Sequence, residues 1–197
     1  MARALYLTHP EVNIDPGIAV PDWGLSAIGR ARAEAMAARN LFAPDIVFVS
    51  STERKALELA EILAKPGANR VVSNADFGEN DRSATGFLPP EEFEPMANRF
   101  FAHPAESIEG WERAIDAQAR IVAAVTASAA SYADAALVFC GHGGVGTLLK
   151  CHVAGRAIAR SEDQPGPGGG NCFAFDLAQK ALICEWTPME TWTGFEQ

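Results

Sequence analysis

The chain is 197 residues long, the length of one domain or at most two small ones. Apolar residues make up 48% of it, enough for a sizeable core and against wholesale disorder. Twenty-five acidic against sixteen basic residues leave a net charge of −9, the wrong balance for a general nucleic-acid or anionic-membrane binder. Aromatics are 9% and do not alternate with Lys or Arg, which removes a single-strand stacking platform. An anionic substrate would need a local basic pocket set against the global field. Cys140, Cys151, Cys172 and Cys184 form no Cys-x-x-Cys pair and read as reduced, mostly buried thiols. The first residues lack a signal-peptide pattern, and no run reaches the roughly 18 apolar residues of a membrane span, so a cytoplasmic protein is expected.

In chain order, Ala4–Leu7 predicts a buried strand ending at Thr8-His9-Pro10, followed by a Pro/Asp/Gly-rich loop through Gly24. Ser26 reads as the N-cap of a helix whose apolar positions are Ile28, Ala31, Ala35 and Ala38. Asp45–Val49 predicts a second strand, closed by Ser50-Ser51-Thr52, and a helix runs from Glu53 to Pro66-Gly67. Arg70–Ser73 is a third strand. From Asn74 to about Ser107 the turn formers and the Pro89-Pro90 pair predict an irregular, lid-like insertion with short helices. A long helix is expected over Glu109–Ala130, a strand over Ala135–Cys140, and a helix from Gly143 to about Ala154. Gln164–Asn171 is a Gly/Pro loop, and Cys172–Leu177 with Ala181–Trp186 reads as an antiparallel pair. The expectation is one α/β domain over 1–197: a three-layer α/β/α sandwich around a mainly parallel sheet with mixed edges.

In such sheets ligands bind beyond the carboxyl ends of the strands. That rule selects Thr8-His9, Ser50–Arg54 and Gly141-His142, so two of four histidines and Arg54 fall together beside helix N-termini. Imidazoles, a guanidinium and backbone N–H groups make a place for an anion. The residues concerned are Leu5-Tyr-Leu-Thr-His9, Leu25-Ser26-x-x-Gly29-x-x-x-Ala33, Ser50-Ser51-x-x-Arg54-x-Ala56-x-x-x-Ala60-Glu61-Ile62-Leu63 and Gly141-His142-Gly143-Gly144-Val145. Together they resemble the histidine phosphatase superfamily, with its phosphoglycerate-mutase-like fold, over nearly the whole chain.

The resemblance implies hydrolysis of a phosphoric monoester or phosphoramidate, without a metal or other cofactor. His9 would attack the phosphoryl group and form a phosphohistidine, while Arg54 and His142 bind its oxygens. Its second ring nitrogen should donate to a backbone carbonyl. The general acid would come from Phe77–Arg82, with Glu79 first and Asp81 second, held protonated by burial and the bound phosphate. One departure stands out: Thr8-His9-Pro10 replaces the family's Arg-His-Gly, removing a guanidinium. Arg82 is the candidate to stand in for it, and Asn171 is a candidate at the substrate rim. The alternative is a phospho-ligand binding or regulatory protein with little or no turnover. The implied partner is a small phosphorylated molecule or a phosphohistidine protein; oligomeric state is left open.

Two other readings are weaker. Gly141-His-Gly143-Gly-Val-Gly146 matches a dinucleotide fingerprint, but Glu162 and Asp163 downstream lie in a loop and too little chain follows. Cys140, His142, Cys151 and His152 are close in sequence without metal-ligand spacing. His103 reads as solvated. Trp23, Phe87 and Phe93 are candidates for the pocket mouth or for packing the lid down.

Overall fold

The computed structural model describes residues 3–195. Six strands form one sheet: β1 (Arg3–Thr8), β2 (Val47–Ser50), β3 (Arg70–Ser73), β4 (Leu137–Gly141), β5 (Asn171–Asp176) and β6 (Ala181–Pro188), in the spatial order β3-β2-β4-β1-β5-β6. β3, β2, β4 and β1 are parallel, while β5 runs antiparallel to both β1 and β6. The helices are α1 (Ala27–Ala38), α2 (Arg54–Leu63), α3 (Pro90–Ala102), α4 (Ala114–Ser131) and α5 (Gly143–Val153).

Central strands with both faces covered read as unbroken apolar runs, as β1 and β4 do. Along β1, Leu5 and Leu7 enter one core with Met36 of α1 and Leu59 of α2. Ala4 and Tyr6 enter the opposite core with Phe101 of α3, Ile121 of α4 and Leu148 of α5. The predicted three-layer α/β/α arrangement is therefore present. None of the described helices is long and apolar enough to cross a membrane.

Two elements differ from expectation. Ser26 does cap α1, accepting the Gly29 N–H at 3.0 Å, but the buried face is Gly29, Ala33 and Met36, with Ile28 62% exposed. Small residues win here because α1 starts against the chain before it: a Cβ on Gly29 would lie 2.1 Å from the Glu11 carbonyl oxygen. The long helix begins at Ala114, since Glu109 and Gly110 both take left-handed backbone angles and Trp111 packs into the core outside it.

Strand register positions the functional edge. Thr8 pairs with Gly141, and Ser50 with Cys140, so the residues following β1, β2 and β4 emerge side by side. Tyr6 fixes that edge from below: its hydroxyl accepts the His142 N–H at 3.0 Å and donates to the His142 carbonyl at 3.1 Å. Gly141 and Gly146 make room for it, because a Cβ on either would lie 2.3 or 2.4 Å from the Tyr6 ring system. Those glycines thus serve packing, and β5 returns antiparallel beside β1 in place of a parallel nucleotide-binding strand. Tyr6→Phe, which strips two partners from a buried backbone, should lower stability by about 1–3 kcal/mol in urea unfolding.

Candidate active site

His9 and His142 leave neighbouring strand ends and meet edge to face, with ring centroids 5.2 Å apart and planes at 70°. His9 Nδ1 lies 2.9 Å from the Pro10 carbonyl oxygen. A carbonyl only accepts, so Nδ1 carries the proton and Nε2 keeps its lone pair. Burial, reinforced by His142, pushes the His9 pKa down to about 3, which leaves the ring neutral. His142 is completely buried, and neither of its ring nitrogens makes a hydrogen bond among the described residues. Burial also lowers its pKa, against the opposing pull of Glu53 and Glu79. A buried imidazole without partners is costly to leave so, and a ligand able to bond it would recover that energy.

The second strand end supplies a different cation from the one expected. The Arg54 side chain is 63% exposed and turns outward to Glu58, 2.8 Å away, so it takes no part in the site. Lys55 is the buried cation of this turn, on the face of α2 that carries Ala56, Leu59, Ala60 and Leu63. Its Nζ donates to the Val20 carbonyl at 2.9 Å and to the Glu53 carboxylate. Glu53 in turn lies 3.3 Å from His142 Nε2, through Oε1, and the same oxygen accepts the Glu79 N–H at 2.9 Å. Burial works against its ionised form, but His142 and Lys55 outweigh burial and hold Glu53 at about 2. The sequence reading missed both Glu53 and Lys55.

Glu79 reaches the site bonded to α5. Its Oε2 accepts the Gly144 N–H at 3.0 Å and its Oε1 the Val145 N–H at 2.9 Å, so it sits on the N-terminus of α5. Those helix donors, expected to be free for an anion, are occupied by the protein's own carboxylate. Burial raises its pKa, yet Arg82, His142 and the two amides together bring it below the usual value. Glu79 is thus anchored to α5 by bonds that favour its ionised form. Asp81 is exposed and caps Ser83 N–H at 2.8 Å, outside the cluster. Arg82 stacks over Phe93 and Trp111, with its carbon 5.1 and 5.6 Å from the ring centroids, and its charge acts on Glu79 and His142.

Thr8 is buried and committed to the protein. Its hydroxyl donates to Gln164 Oε1 at 2.8 Å and accepts the Asn171 N–H at 3.0 Å. Asn171 Nδ2 donates to the same Gln164 oxygen at 3.1 Å, so Asn171 braces the loop behind the site. Gln164 Nε2 points at the start of α5, where a Cβ on Gly143 would be 2.4 Å from it. Asn80 is buried beside Gly144 with its Nδ2 unpaired among the described residues. These two amides are further donors that the sequence reading passed over. Trp23 packs edge-on against Phe87, centroids 5.3 Å apart, and joins the β1–α1 loop to the insertion. His103 is exposed, and His152 is exposed beside buried Cys151.

These shifts have a sign. His9 and Glu53 both titrate below their ordinary values of 6.5 and 4.5, at about 3 and about 2. Their stabilising contributions are whole above the unfolded values and are lost as pH falls, His9's from about 6.5 towards 3 and Glu53's from about 4.5 towards 2. The urea midpoint should therefore drop continuously below pH 6.5, and His9→Gln should reduce the slope between pH 6.5 and 5. Lys55→Met, which leaves Glu53 unpaired, should cost on the order of 3–5 kcal/mol. Arg54→Ala should change stability by no more than about 0.5 kcal/mol.

Comparison with known proteins fits this geometry. No curated protein sequence matches the chain. Among solved structures, a mycobacterial glucosyl-3-phosphoglycerate phosphatase in complex with inorganic phosphate superposes with a TM-score of 0.73 at 20% identity, covering 98% of this chain and 100% of that one. YhfR of Bacillus stearothermophilus superposes with a TM-score of 0.76 at 18% identity, over 91% and 93% of the two chains. At such identities the likeness is one of fold. The family model "Histidine phosphatase superfamily (branch 1)" matches residues 17–172. With that match over most of its length, the chain belongs to the histidine phosphatase superfamily.

Proposed function

We propose that the protein is a metal-independent phosphatase that hydrolyses a phosphoric monoester or phosphoramidate through a phosphohistidine at His9. The observation that carries the reading is the pairing of a neutral His9, with Nδ1 turned to the Pro10 carbonyl, with a buried and unpartnered His142. Imidazole in that state offers Nε2 as a nucleophile and later serves as a leaving group, which divides one difficult displacement into two. In the first step a bond forms between Nε2 and phosphorus as the bond to the leaving oxygen or nitrogen breaks. In the second, water attacks phosphorus and the P–N bond breaks, returning neutral His9 and inorganic phosphate. His142, Lys55 and Arg82 would stabilise the phosphoryl oxygens. Glu79 holds the first turn of α5 in place behind His142. A cytoplasmic setting and a small phosphorylated substrate go with this reading.

A second reading, binding without turnover, is favoured by one observation: the Thr8 hydroxyl is already engaged by Gln164 and Asn171 and brings no positive charge. A panel of aryl and alkyl phosphates separates the two. Turnover should fall by at least about a thousandfold in His9→Ala, and an acid-labile phosphoenzyme should be trapped from wild type alone. Phosphate binding with no turnover of any ester would establish the second reading instead.

A further inference from the structure

The charges around the two histidines are balanced. Lys55 faces Glu53, and Arg82 acts on Glu79. Around them, Arg120 bonds Glu112 at 2.8 Å and Asp163 pairs with Arg160 at 3.2 Å. Neutral groups lie here too: His9 meets His142 edge to face, the Tyr6 hydroxyl bonds its backbone, and the Asn80 and Gln164 amides lie against Gly144 and Gly143. A dianionic phosphoryl group entering such a site would bring two charges against Lys55, which Glu53 already neutralises, and Arg82, which is held over Phe93 and Trp111. Glu79 has both carboxylate oxygens bonded to α5 amides, which favours its ionised form.

Resting on the phosphatase reading above, we propose that the phosphoryl group accepted at His9 carries a single negative charge, and that Glu53 is the residue that selects against the second. Two sources provide that group: a phosphomonoester below its second ionisation, at about pH 6, or a phosphodiester at any pH. The monoester monoanion also carries a proton of its own for the leaving oxygen. His9 Nε2 bonds to phosphorus, the bond to the leaving oxygen breaks, and the proton of the P–OH passes to that oxygen, releasing the alcohol. The phosphohistidine keeps the single negative charge, and water then yields dihydrogen phosphate and neutral His9. A diester with an aryl leaving group needs no such proton and expels the aryloxide.

The test uses p-nitrophenyl phosphate and methyl p-nitrophenyl phosphate between pH 5 and 8.5, on the intact chain and on Glu53→Gln. In wild type, kcat/KM for the monoester should fall about tenfold per pH unit above about pH 6; titration of the protein itself acts on both esters, and their ratio isolates the substrate. In Glu53→Gln the ratio of monoester to diester kcat/KM should change little at pH 5 and rise by about three- to tenfold at pH 8. If only the monoester is cleaved, with that fall, the source is its protonated form. A wild-type ratio that is flat from pH 6 to 8, or a Glu53→Gln gain equal for both esters or constant with pH, overturns the proposal. The wild-type ratio decides the matter even if the variant does not fold. Turnover that persists in His9→Ala removes the phosphohistidine reading and leaves the charge preference standing. Absence of all turnover removes both.

Discussion

The register between β1 and β4 is the constraint on which the site depends. Parallel neighbours end at the same edge of a sheet, and pairing Thr8 with Gly141 makes His9 and His142 the first residues beyond that edge on adjacent strands. A one-residue slip would turn Tyr6 to the other core and take its hydroxyl from the His142 backbone. Tyr6 is therefore both a core ring, stacked on Phe173, and the strut that sets the height of His142. Gly141 and Gly146 are small because that ring lies against them. The same residues thus serve packing and chemistry, and substitutions beneath the site should be felt in it.

Electrostatics divides the molecule into two scales. The net charge of −9 repels anions at long range, and salt screens much of that repulsion beyond about 10 Å. Near the histidines the low dielectric makes each charge count for more, and here the buried cation, Lys55, faces a carboxylate. The consequence is a site whose pull on an anion comes from hydrogen-bond donors and from the unpartnered imidazole more than from net charge. Glu53 has the central position in that balance, touching Lys55, His142 and the backbone of Glu79.

Sequence periodicity was sufficient for the architecture because both faces of the central sheet are covered, and continuous apolar strands alternating with helices leave few arrangements. The strand-end rule likewise found His9 and His142 without any contact being known. It failed at α2, where the guanidinium of Arg54 was preferred by chemical type. Helical spacing would have chosen otherwise: Lys55 shares a stripe with Leu59 and Leu63, whereas Arg54 lies above Glu58, four residues on. Glu79 was legible as a residue of the site but its anchorage was not, because that depends on amides of α5 more than sixty residues away. Gln164 and Asn80 gave no local signal; their importance comes from loop paths that only tertiary structure fixes. On α1 the apolar stripe misled, since close approach to Glu11 favours glycine and alanine over isoleucine.

The segment Thr8-His9-Pro10 is tied to residues far along the chain. Pro10 has no N–H to donate, and it forms a bridge with Gly169, a residue at φ 60° whose Cβ would lie 2.2 Å from the His9 carbonyl oxygen. Gly170 follows and donates its N–H to that same carbonyl at 3.1 Å. The glycine run from 168 to 170 therefore lies across the backbone of His9, and the Gly170 amide is not free to cradle an anion. Gln164, which opens this loop, receives the hydrogen bond from Thr8 and directs its amide nitrogen at Gly143. A long arginine side chain in place of Thr8 would have to displace Gln164 and Asn171 from a buried position. Thr8, Pro10, Gln164 and the glycines thus form one interlocked unit, and an arginine at position 8 alone would strain the loop that holds His9 in place.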